Sequence, residues 1–489
     1  MLTLKRRGGK MRNINSKVIL ASFLLVFSLI THNENIANYT CRRVHTEDRF
    51  FQIHPMLVSS AEILFIVQES GRQAVIMAVN PRSVPDIIIP AIMQAAMDAK
   101  TPIMFELAAS EINVEVDYND LKKAYVGLTP AEFVEKIRYY AYQLGLNVPF
   151  AIHGDHVAVK KNTEEEIVKA EALVRAEVEA GFSSIALDPS HCMELDPLKL
   201  VERLNGSSLD DLKLIPDVAD VLAQRIIDHG EFSSLEELQE IEGIGEATAA
   251  VITTYLELLD NINITARLAK LIPEGVGLEV EVGEIGHTVP DPENPEQNIQ
   301  VLTTVLEATT FTRALQKRGI NPDMLAIHNG TEHGWSHDAD GNRVPQLGID
   351  LQRTSEVKDD IAPLGVVPVQ HGTSSTSPEN LALFVASGIF KANVATNWQD
   401  IMLDNIPPAM RVEVEQWIWD NFGEKERPKH DSDQRFMDKS IKWANKYIIR
   451  GDFGEIPEAN RALIWNAAYE SAMEYFRSFN SVGILEETP

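Results

Sequence analysis

Residues 74–107 read AVIMAVNPRSVPDIIIPAIMQAAMDAKTPIMFEL, and this stretch decides the fold class. The apolar run at 74–79 predicts a buried strand, 85–100 predicts a helix with an apolar stripe, and 102–107 predicts a second strand. Strands that are separated by helices in this way indicate a parallel sheet.

The same alternation continues along the chain. Thr129 and Glu132 have the spacing of a capping box with Pro130 at the first helical position, which predicts a helix to about Leu144. Further strands are predicted at 149–153, 184–187, 277–282, 323–327, 365–369 and 390–394. Eight strands alternating with helices predict a (β/α)8 TIM barrel. An open doubly wound sheet is the alternative, although no G-x-G-x-x-G follows the first strand.

Composition excludes several classes of protein. The chain has 489 residues, with 44 Lys and Arg against 72 Asp and Glu, so its net charge is −28. This balance argues against a broad nucleic-acid-binding surface, which needs a basic face. The two cysteines exclude a disulfide-stapled scaffold and a zinc site built from four cysteines. The histidines are therefore the better guide to function.

The first 55 residues permit two interpretations. Basic residues precede an apolar run at 18–30, which is the outline of a signal peptide and is short for a membrane span of roughly 20 residues. Alternatively, the start is over-extended and the working protein begins near Met56. The second interpretation predicts a cytoplasmic protein, whereas the first leaves a signal peptide or an N-terminal anchor open.

Polar residues gather where the predicted strands end, which is where TIM barrels place their active sites. Three ends offer a histidine beside a carboxylate or a glycine, and imidazoles from separate strands are typical ligands of a catalytic divalent metal. One such histidine alone is more often a structural residue, but their joint occurrence favours a metal site. Glycine turns and hydroxyls at these ends suit a phosphate. The strand-end segments are 80, 153–156, 188–191, 279–281, 328–334, 370–375 and 391–396.

In this order, the motifs resemble the class II, metal-dependent ketose-bisphosphate aldolases, which include fructose- and tagatose-bisphosphate aldolases. The resemblance covers roughly residues 74–400, and the segment from Phe105 to Pro130 is similar to the non-catalytic accessory subunit of tagatose-bisphosphate aldolase. The matching motifs are AVN at 78–80, HGDH at 153–156, LEVEVG at 278–283, HG at 333–334, HGTS at 371–374 and KANVAT at 391–396.

The resemblance implies roles for particular residues. Asp155 would be the acid/base, and Glu281 would support the metal or contact it directly. The zinc ligands would be His156, His333 and His371. The substrate and its phosphate would be held by Asn80, Gly334, Gly372, Ser374, Asn393 and Thr396. We expect Zn²⁺, with another divalent metal and an additional monovalent cation left open.

The implied reaction is the reversible aldol cleavage of a ketose 1,6-bisphosphate, of the fructose or tagatose type, to dihydroxyacetone phosphate and an aldehyde phosphate. Three departures from the family pattern weaken the case for fructose 1,6-bisphosphate. Ala395 stands where the family has an aspartate, Thr373 replaces a glycine, and the loop at 286–293 lacks the family's glutamate. A non-catalytic accessory subunit is the alternative.

The predicted domains are a barrel at 56–197 and 262–400, an insert at 198–261 and a helical C-terminal extension at 401–489. Helices are predicted in the insert at 210–227, 235–240 and 246–259. The insert resembles a tandem helix-hairpin-helix module, whose second hairpin ends in Gly243 and Gly245 and whose first hairpin has lost both glycines. Because the insert is acidic, we expect a structural or protein-contact role rather than DNA binding. An interaction protein recruited through this insert is a further alternative.

The C-terminal extension is expected to pack against the barrel or a sister subunit, with 423–429 as a solvated link. The expected partners are a phosphorylated ketose and further copies of the chain. Neither nucleic acid nor a membrane is expected as a partner, unless the N-terminal segment is a genuine signal.

Overall fold

A computed structural model describes residues 54–283, 288–290, 298–332, 334–338, 340–346 and 348–486. The predicted N-terminal extension lies outside the described residues except for its last two positions. The predicted zinc ligand His333 and most of the loop at 286–293 also lie outside them.

Eight parallel strands close into a barrel, in which β1 pairs with β8 through Met77 opposite Ala392. This pairing confirms the predicted TIM barrel and excludes the open sheet. The strands are β1 Ile76–Val79, β2 Ile103–Ala108, β3 Phe150–Ala158, β4 Ser184–Asp188, β5 Gly277–Val282, β6 Met324–Ile327, β7 Val367–Gln370 and β8 Lys391–Val394.

Helices surround the barrel and form the insert and the C-terminal extension. Around the barrel lie α1 Ser60–Glu69, α2 Pro85–Ala99, α3 Pro130–Leu144, α4 Glu164–Ala180, α5 Pro197–Asn205, α8 Glu246–Ala269, α9 Val305–Lys317, α10 Leu351–Ile361, α11 Pro378–Ala386 and α12 Thr396–Asn405. The insert contains α6 Leu209–Lys213 and α7 Asp220–His229. The extension contains α13 Pro408–Glu426, α14 Asp433–Ser440, α15 Asn445–Arg450 and α16 Glu458–Ser478.

The capping box that was predicted at the start of α3 is present. The Oγ1 of Thr129 accepts from the amide of Glu132 at 3.3 Å, and the Glu132 carboxylate accepts from the amide of Thr129 at 2.7 Å. Pro130 occupies the first helical position, and Gly145 ends the helix in the left-handed conformation. Two otherwise orphaned amides are thereby satisfied, so this boundary could be predicted from local sequence.

One end of the barrel is filled with apolar side chains. Ile76 and Ala78 of β1 face the barrel interior, where they join a cluster with Met104 of β2 and Met324 of β6, and Ile63 of α1 packs on this cluster. Alternate residues of β1 pack outward against the helices instead, which explains why the strand is apolar throughout. The polar strand ends therefore meet at the opposite, C-terminal end of the barrel.

The insert departs from the predicted helices. The single helix expected at 210–227 is wrong, because the chain turns at Pro216 and Asp217, whose φ is +62°, and this turn separates α6 from α7. The segment Leu235–Glu240 is a 3-10 helix, and α8 extends ten residues beyond its expected end at 259 to Ala269. One continuous helix therefore joins the insert to the barrel.

The C-terminal extension packs through its aromatic residues. Trp417 lies 4.7 Å from the ring of Tyr447, and Trp419 lies 4.7 Å from the ring of Phe436, measured between ring centroids. The solvated link that was predicted at 423–429 is wrong, because α13 continues to Glu426. In the described part of the chain, no helix combines the length and the apolar composition needed to cross a membrane.

Glu177 of α4 is expected to make the free energy of unfolding depend on pH. Its carboxyl group is fully buried, and neither oxygen has a hydrogen-bond partner among the described residues. Burial, together with the negative charge of Asp155, raises the pKa of Glu177 well above its ordinary 4.5. Between the unfolded and the folded pKa, the folded chain keeps a proton that the unfolded chain releases, so in that range this group lowers the free energy of unfolding by about 1.4 kcal/mol per pH unit.

We expect Glu177→Met to have a higher Tm than the wild type at pH 8 and a smaller advantage at pH 5, measured by thermal unfolding. Glu179→Met, at an exposed position of the same helix, is the control and should leave the pH dependence of Tm unchanged. An equal pH dependence for wild type and Glu177→Met would show that Glu177 does not remain protonated in the folded chain.

Candidate active site

A break in β3 brings two neighbouring side chains to the mouth of the barrel. The pairing of β3 with β4 shifts register between Gly154 and Val157, and His156 has a φ of +48°, in the left-handed region that non-glycine residues rarely adopt. Regular alternation would send Asp155 and His156 to opposite faces, yet both line the same cavity. Strain of this kind is concentrated at functional sites.

Nitrogen and oxygen atoms of the kind that bind divalent metals converge beside this break. The Nε2 of His156 lies 2.7 Å from the Nδ1 of His371, and the Nδ1 of His156 lies 2.6 Å from a carboxylate oxygen of Glu281. Asp155 and Asp188 approach His156 at 3.8 Å and 3.2 Å. The structure therefore brings together the predicted residues Asp155, His156, His371 and Glu281, whereas His333 lies outside the described residues.

The electrostatics of this cluster suit a cation. Burial disfavours a charge on His156, but the carboxylates of Asp155 and Glu281 outweigh burial and raise the pKa of His156 well above its ordinary value. The Oε1 of Glu281 is buried and lacks a hydrogen bond of acceptable geometry among the described residues. Imidazole nitrogens and carboxylate oxygens are common zinc ligands, so the residues present fit a divalent cation.

A buried ion network orients the second imidazole. The Nε2 of His371 lies 2.9 Å from one carboxylate oxygen of Glu279, and the other oxygen of Glu279 lies 2.7 Å from the Nζ of Lys391. Lys391 also contacts His153 at 3.1 Å and Glu106 at 3.6 Å. The imidazole of His371 is thereby held with Nδ1 toward His156, which is how outer residues orient metal ligands.

The glycine turns after β6 and β7 are held together by one side chain that sequence reasoning missed. The amide of Gln346 donates to the carbonyl oxygens of Glu332 and Gly372 at 2.8 Å and 2.9 Å. Gly372 has a φ of +71°, and a β-carbon there would lie 2.5 Å from the Glu332 carbonyl oxygen. Only glycine fits at this position, because any β-carbon would clash with that oxygen. The backbone at Gly372 can therefore lie directly at the cavity.

The remaining predicted substrate residues all line the same cavity, where several of them contact other side chains. Ser374 Oγ accepts from the Ala395 amide at 3.0 Å, and the Asn393 amide donates to Asp155 at 3.1 Å. The amide of Asn80 donates to Glu111 at 2.5 Å. We call Asp155, His156, His371 and Glu281 the metal-type cluster. The predicted substrate residues that line the same cavity are Asn80, Gly334, Gly372, Ser374, Asn393 and Thr396.

The cavity has a volume of about 810 Å³ and contains basic side chains that sequence reasoning did not identify. Arg82 follows β1, and Lys439 and Lys442 belong to the C-terminal extension, which was expected only to pack. No local motif marks these lysines, because a lysine on an amphipathic helix is ordinarily part of a solvated face. Asp188 and Glu279 were recognised as strand-end residues but were given no role.

Two family models match the chain in adjacent segments. Residues 221–450 match the model of fructose-bisphosphate aldolase class-II, and residues 62–210 match that of the D-tagatose-1,6-bisphosphate aldolase subunit GatZ/KbaZ-like. Together the two matches span every strand of the barrel. The first match contains Glu281 and His371, and the second contains Asp155 and His156.

Individual proteins that resemble the chain share less than a third of their residues with it. The chain is 29% identical over 134 residues to a D-tagatose 6-phosphate 4-epimerase of Agrobacterium fabrum; this match covers 26% of the chain and spans only 29% of that curated relative. A probable tagatose 6 phosphate kinase from Sinorhizobium meliloti 1021 has a TM-score of 0.49 at 17% identity, covering 83% of this chain and 100% of that one. The YdjI aldolase from Escherichia coli K12 has a TM-score of 0.45 at 16% identity, covering 88% and 100%.

The contacts among His156, His371 and Glu281 predict which substitutions weaken metal binding. We expect His371→Ala and Glu281→Ala each to lower zinc affinity by about 10–100-fold, because each removes a group that contacts or orients the ion. Zinc retained after dialysis against a graded chelator series, measured by mass spectrometry, reports this affinity. His229→Ala, an exposed imidazole in α7, is the control. Wild-type zinc retention by both cluster variants would contradict the assignment.

Proposed function

Because the chain belongs to the class II bisphosphate aldolase family, we propose that it catalyses the zinc-dependent, reversible aldol cleavage of a ketose 1,6-bisphosphate of the fructose or tagatose type. The products are dihydroxyacetone phosphate and an aldehyde phosphate. The observation that carries this proposal is the juxtaposition of the Asp155 carboxylate with His156, His371 and Glu281 in one cavity.

His156 and His371, whose facing nitrogens lie 2.7 Å apart, are the described residues that would hold the divalent cation, and Glu281, which lies beside the other nitrogen of His156, would orient that ring. When bound there, such a cation supplies positive charge that stabilises negative charge developing on the substrate's carbonyl oxygen. The register break at His156 and the contact from Glu279 hold the two imidazoles facing one another before any ligand arrives. This preorganisation avoids the cost of arranging the ligands during the reaction.

Asp155 is placed to move the proton. Its side chain is buried, and the amide of Asn393 donates to one of its oxygens, which fixes the orientation of the carboxylate. In cleavage, the other oxygen accepts the proton of the substrate's C4 hydroxyl while the C3–C4 bond breaks. The electron pair of that bond passes toward the C2 carbonyl, and C4 becomes the aldehyde carbon. In condensation, Asp155 returns the proton.

The cavity has a volume and a lining that suit a phosphorylated sugar. Its volume of about 810 Å³ lies within the usual range for small-molecule sites. The glycine turns at Gly334 and Gly372 lie on the same side of the cavity as Thr396, whose hydroxyl accepts from Arg82 at 2.8 Å. One phosphate of the substrate would bind there, which would orient the reacting carbons toward Asp155.

A non-catalytic accessory subunit is the second candidate function. It is favoured by the match of residues 62–210 to the family model of an aldolase subunit and by Ala395 at the position of the family's aspartate. The described part of the metal-type cluster favours the catalytic alternative. A buried Asp155 beside two facing imidazoles is an arrangement that catalysis requires and that an accessory subunit does not.

Asp155→Asn separates catalysis from folding and metal binding. The substitution keeps the shape of the side chain but removes the proton acceptor, so we expect kcat for aldol cleavage to fall by about 10²–10⁴-fold while zinc is retained. Cleavage of fructose and tagatose 1,6-bisphosphates is followed by the release of dihydroxyacetone phosphate, with and without EDTA. Asp228→Asn, at an exposed position of α7, is the control.

Each result decides between the two candidates. Cleavage that is sensitive to EDTA and lost in Asp155→Asn supports the aldolase. Wild-type protein that retains zinc but cleaves neither sugar contradicts it. If that protein then raises the activity of a separate catalytic aldolase, the accessory function takes its place.

A further inference from the structure

Three basic side chains come together at the Thr396 side of the cavity, although the chain as a whole carries a net charge of −28. They are Arg82, Lys439 and Lys442, none of which belongs to the sequence motifs that carry the aldolase resemblance. Burial of several like charges close together is unfavourable, and an anion bound among them removes much of this cost.

Protein groups balance only part of the positive charge of Arg82 and bind only some of its hydrogen-bond donors. Its Nη2 donates to Thr396 and its Nη1 lies 3.4 Å from Glu111, but its Nε is buried and has no hydrogen-bond partner in the part of the chain that the structure describes. Glu111 is shared, because it also accepts from the hydroxyl of Tyr125 at 2.8 Å and from the amide of Asn80 at 2.5 Å. This single carboxylate carries one negative charge, which does not balance the charges of both Arg82 and Lys442.

Lys439 borders the open space above the glycine turn. A β-carbon built on Gly334 would lie 4.0 Å from the Nζ of Lys439 and 3.8 Å from the Oγ1 of Thr396. Glu332 and Asp438 also face Lys439, and burial lowers the pKa of Lys439. An oxygen atom in the space beside Gly334 would lie within reach of both the ammonium and the hydroxyl.

Lys442 follows on the next turn of the chain, in the 3-10 helix Ile441–Ala444. Its ammonium lies 5.8 Å from the centre of the Tyr125 ring, and no hydrogen bond or ion pair joins it to another described residue. Burial, followed by the positive charges of Arg82 and Lys439, lowers the pKa of Lys442 to about 8. This ammonium is therefore positioned to accept an anionic partner.

Ion pairs fix α14 to the loop that contains Gly334. Arg343 binds the carboxylate of Asp438 through two contacts of 2.9 Å and 2.5 Å, and the Nε2 of His337 lies 2.8 Å from the same group. His337 and Arg343 form the short hairpin that follows Gly334. The position of Lys439, next to Asp438, is therefore coupled to that of the glycine turn.

A second contact fixes the extension to the loop after β2. The ammonium of Lys446, which is 1% exposed, donates to the carbonyl oxygens of Asp117, Asp120 and Lys123 at 3.0, 2.6 and 3.0 Å. Three convergent carbonyls satisfy all three donors of an ammonium. The extension is thus a fixed wall of the cavity, anchored on both sides of Lys442.

We propose that the C-terminal extension completes the phosphate site: Lys439 and Lys442, with Arg82, bind the phosphate from the side opposite Gly334. This inference rests on the proposed function for the identity of the substrate, a phosphorylated ketose, but the anion site can be tested without turnover. The extension would then determine specificity, because a substrate lacking a phosphate at this position would lack the contacts with Lys439 and Lys442.

The test uses the full chain and titration calorimetry with dihydroxyacetone phosphate and, separately, inorganic phosphate. Lys439→Met and Lys442→Met should each weaken binding by about tenfold or more, since each removes a charged partner from a buried anion. Lys425→Met removes the same charge from an exposed position of α13 and should leave binding within about twofold. Unchanged affinity in both cavity variants, with wild-type Tm, would overturn the proposal.

Lys442→Arg provides a rescue that a merely structural lysine would not show. In the wild type, phosphate binding should weaken as the pH rises from about 7.5 to 9.5, because Lys442 loses its proton, whereas arginine stays charged. We expect Lys442→Arg to keep neutral-pH affinity within about threefold and to lose most of this decline. An arginine variant as weak as the methionine variant would contradict a charge-based role. The groups that face Lys442 are Arg82, Glu111, Tyr125, Lys160 and Lys439.

Failure of this inference can be told apart from failure of the proposed function. Phosphate binding that depends on Lys439 and Lys442, without aldol cleavage, would retain the anion site and reject the aldolase. Cleavage with KM unchanged in both lysine variants would retain the aldolase and reject the anion site.

Discussion

The ion pair between Lys391 and Glu279 lies at the centre of the barrel, and the orientation of the candidate metal ligands depends on it. Both side chains are fully buried, and their charged atoms are 2.7 Å apart. Taking a charge out of water costs several kcal/mol, so moving either partner away from the other is costly. Because the second oxygen of Glu279 contacts His371, this constraint passes directly to the imidazole that faces His156.

The closed barrel surrounds this ion pair and places the candidate metal ligands at its C-terminal end. Apolar residues such as Met104 and Met324 fill the opposite end, so the buried polar groups lie from the middle of the barrel to its C-terminal mouth. The extension then narrows this mouth, because Asp438 holds it to the loop after β6 and Lys446 holds it to the loop after β2. The mouth of the barrel thereby becomes a cavity that is lined both by the barrel and by the C-terminal extension.

Much of the barrel could be predicted because the relevant signals are local. Apolar runs and the Thr129 capping box depend on neighbouring residues, and the strands and helices follow them closely. The prediction failed at 210–227, where the turn at Asp217 interrupts an amphipathic pattern that resembles a single helix. It failed again at the end of α13, where charged residues that resemble a solvated link continue the helix to Glu426.

The order of motifs along the chain was enough to predict the fold and the aldolase resemblance. It also predicted that Asp155, His156, Glu281 and His371 lie together, because each of these residues stands in a short motif at the end of a strand. Contacts between distant parts of the chain could not be read in this way. The left-handed turn at His156 and the approach of Lys439 and Lys442 to Arg82 arise only when the barrel closes and the extension packs across its mouth. Such contacts depend on packing between elements far apart in sequence, for which no local pattern exists.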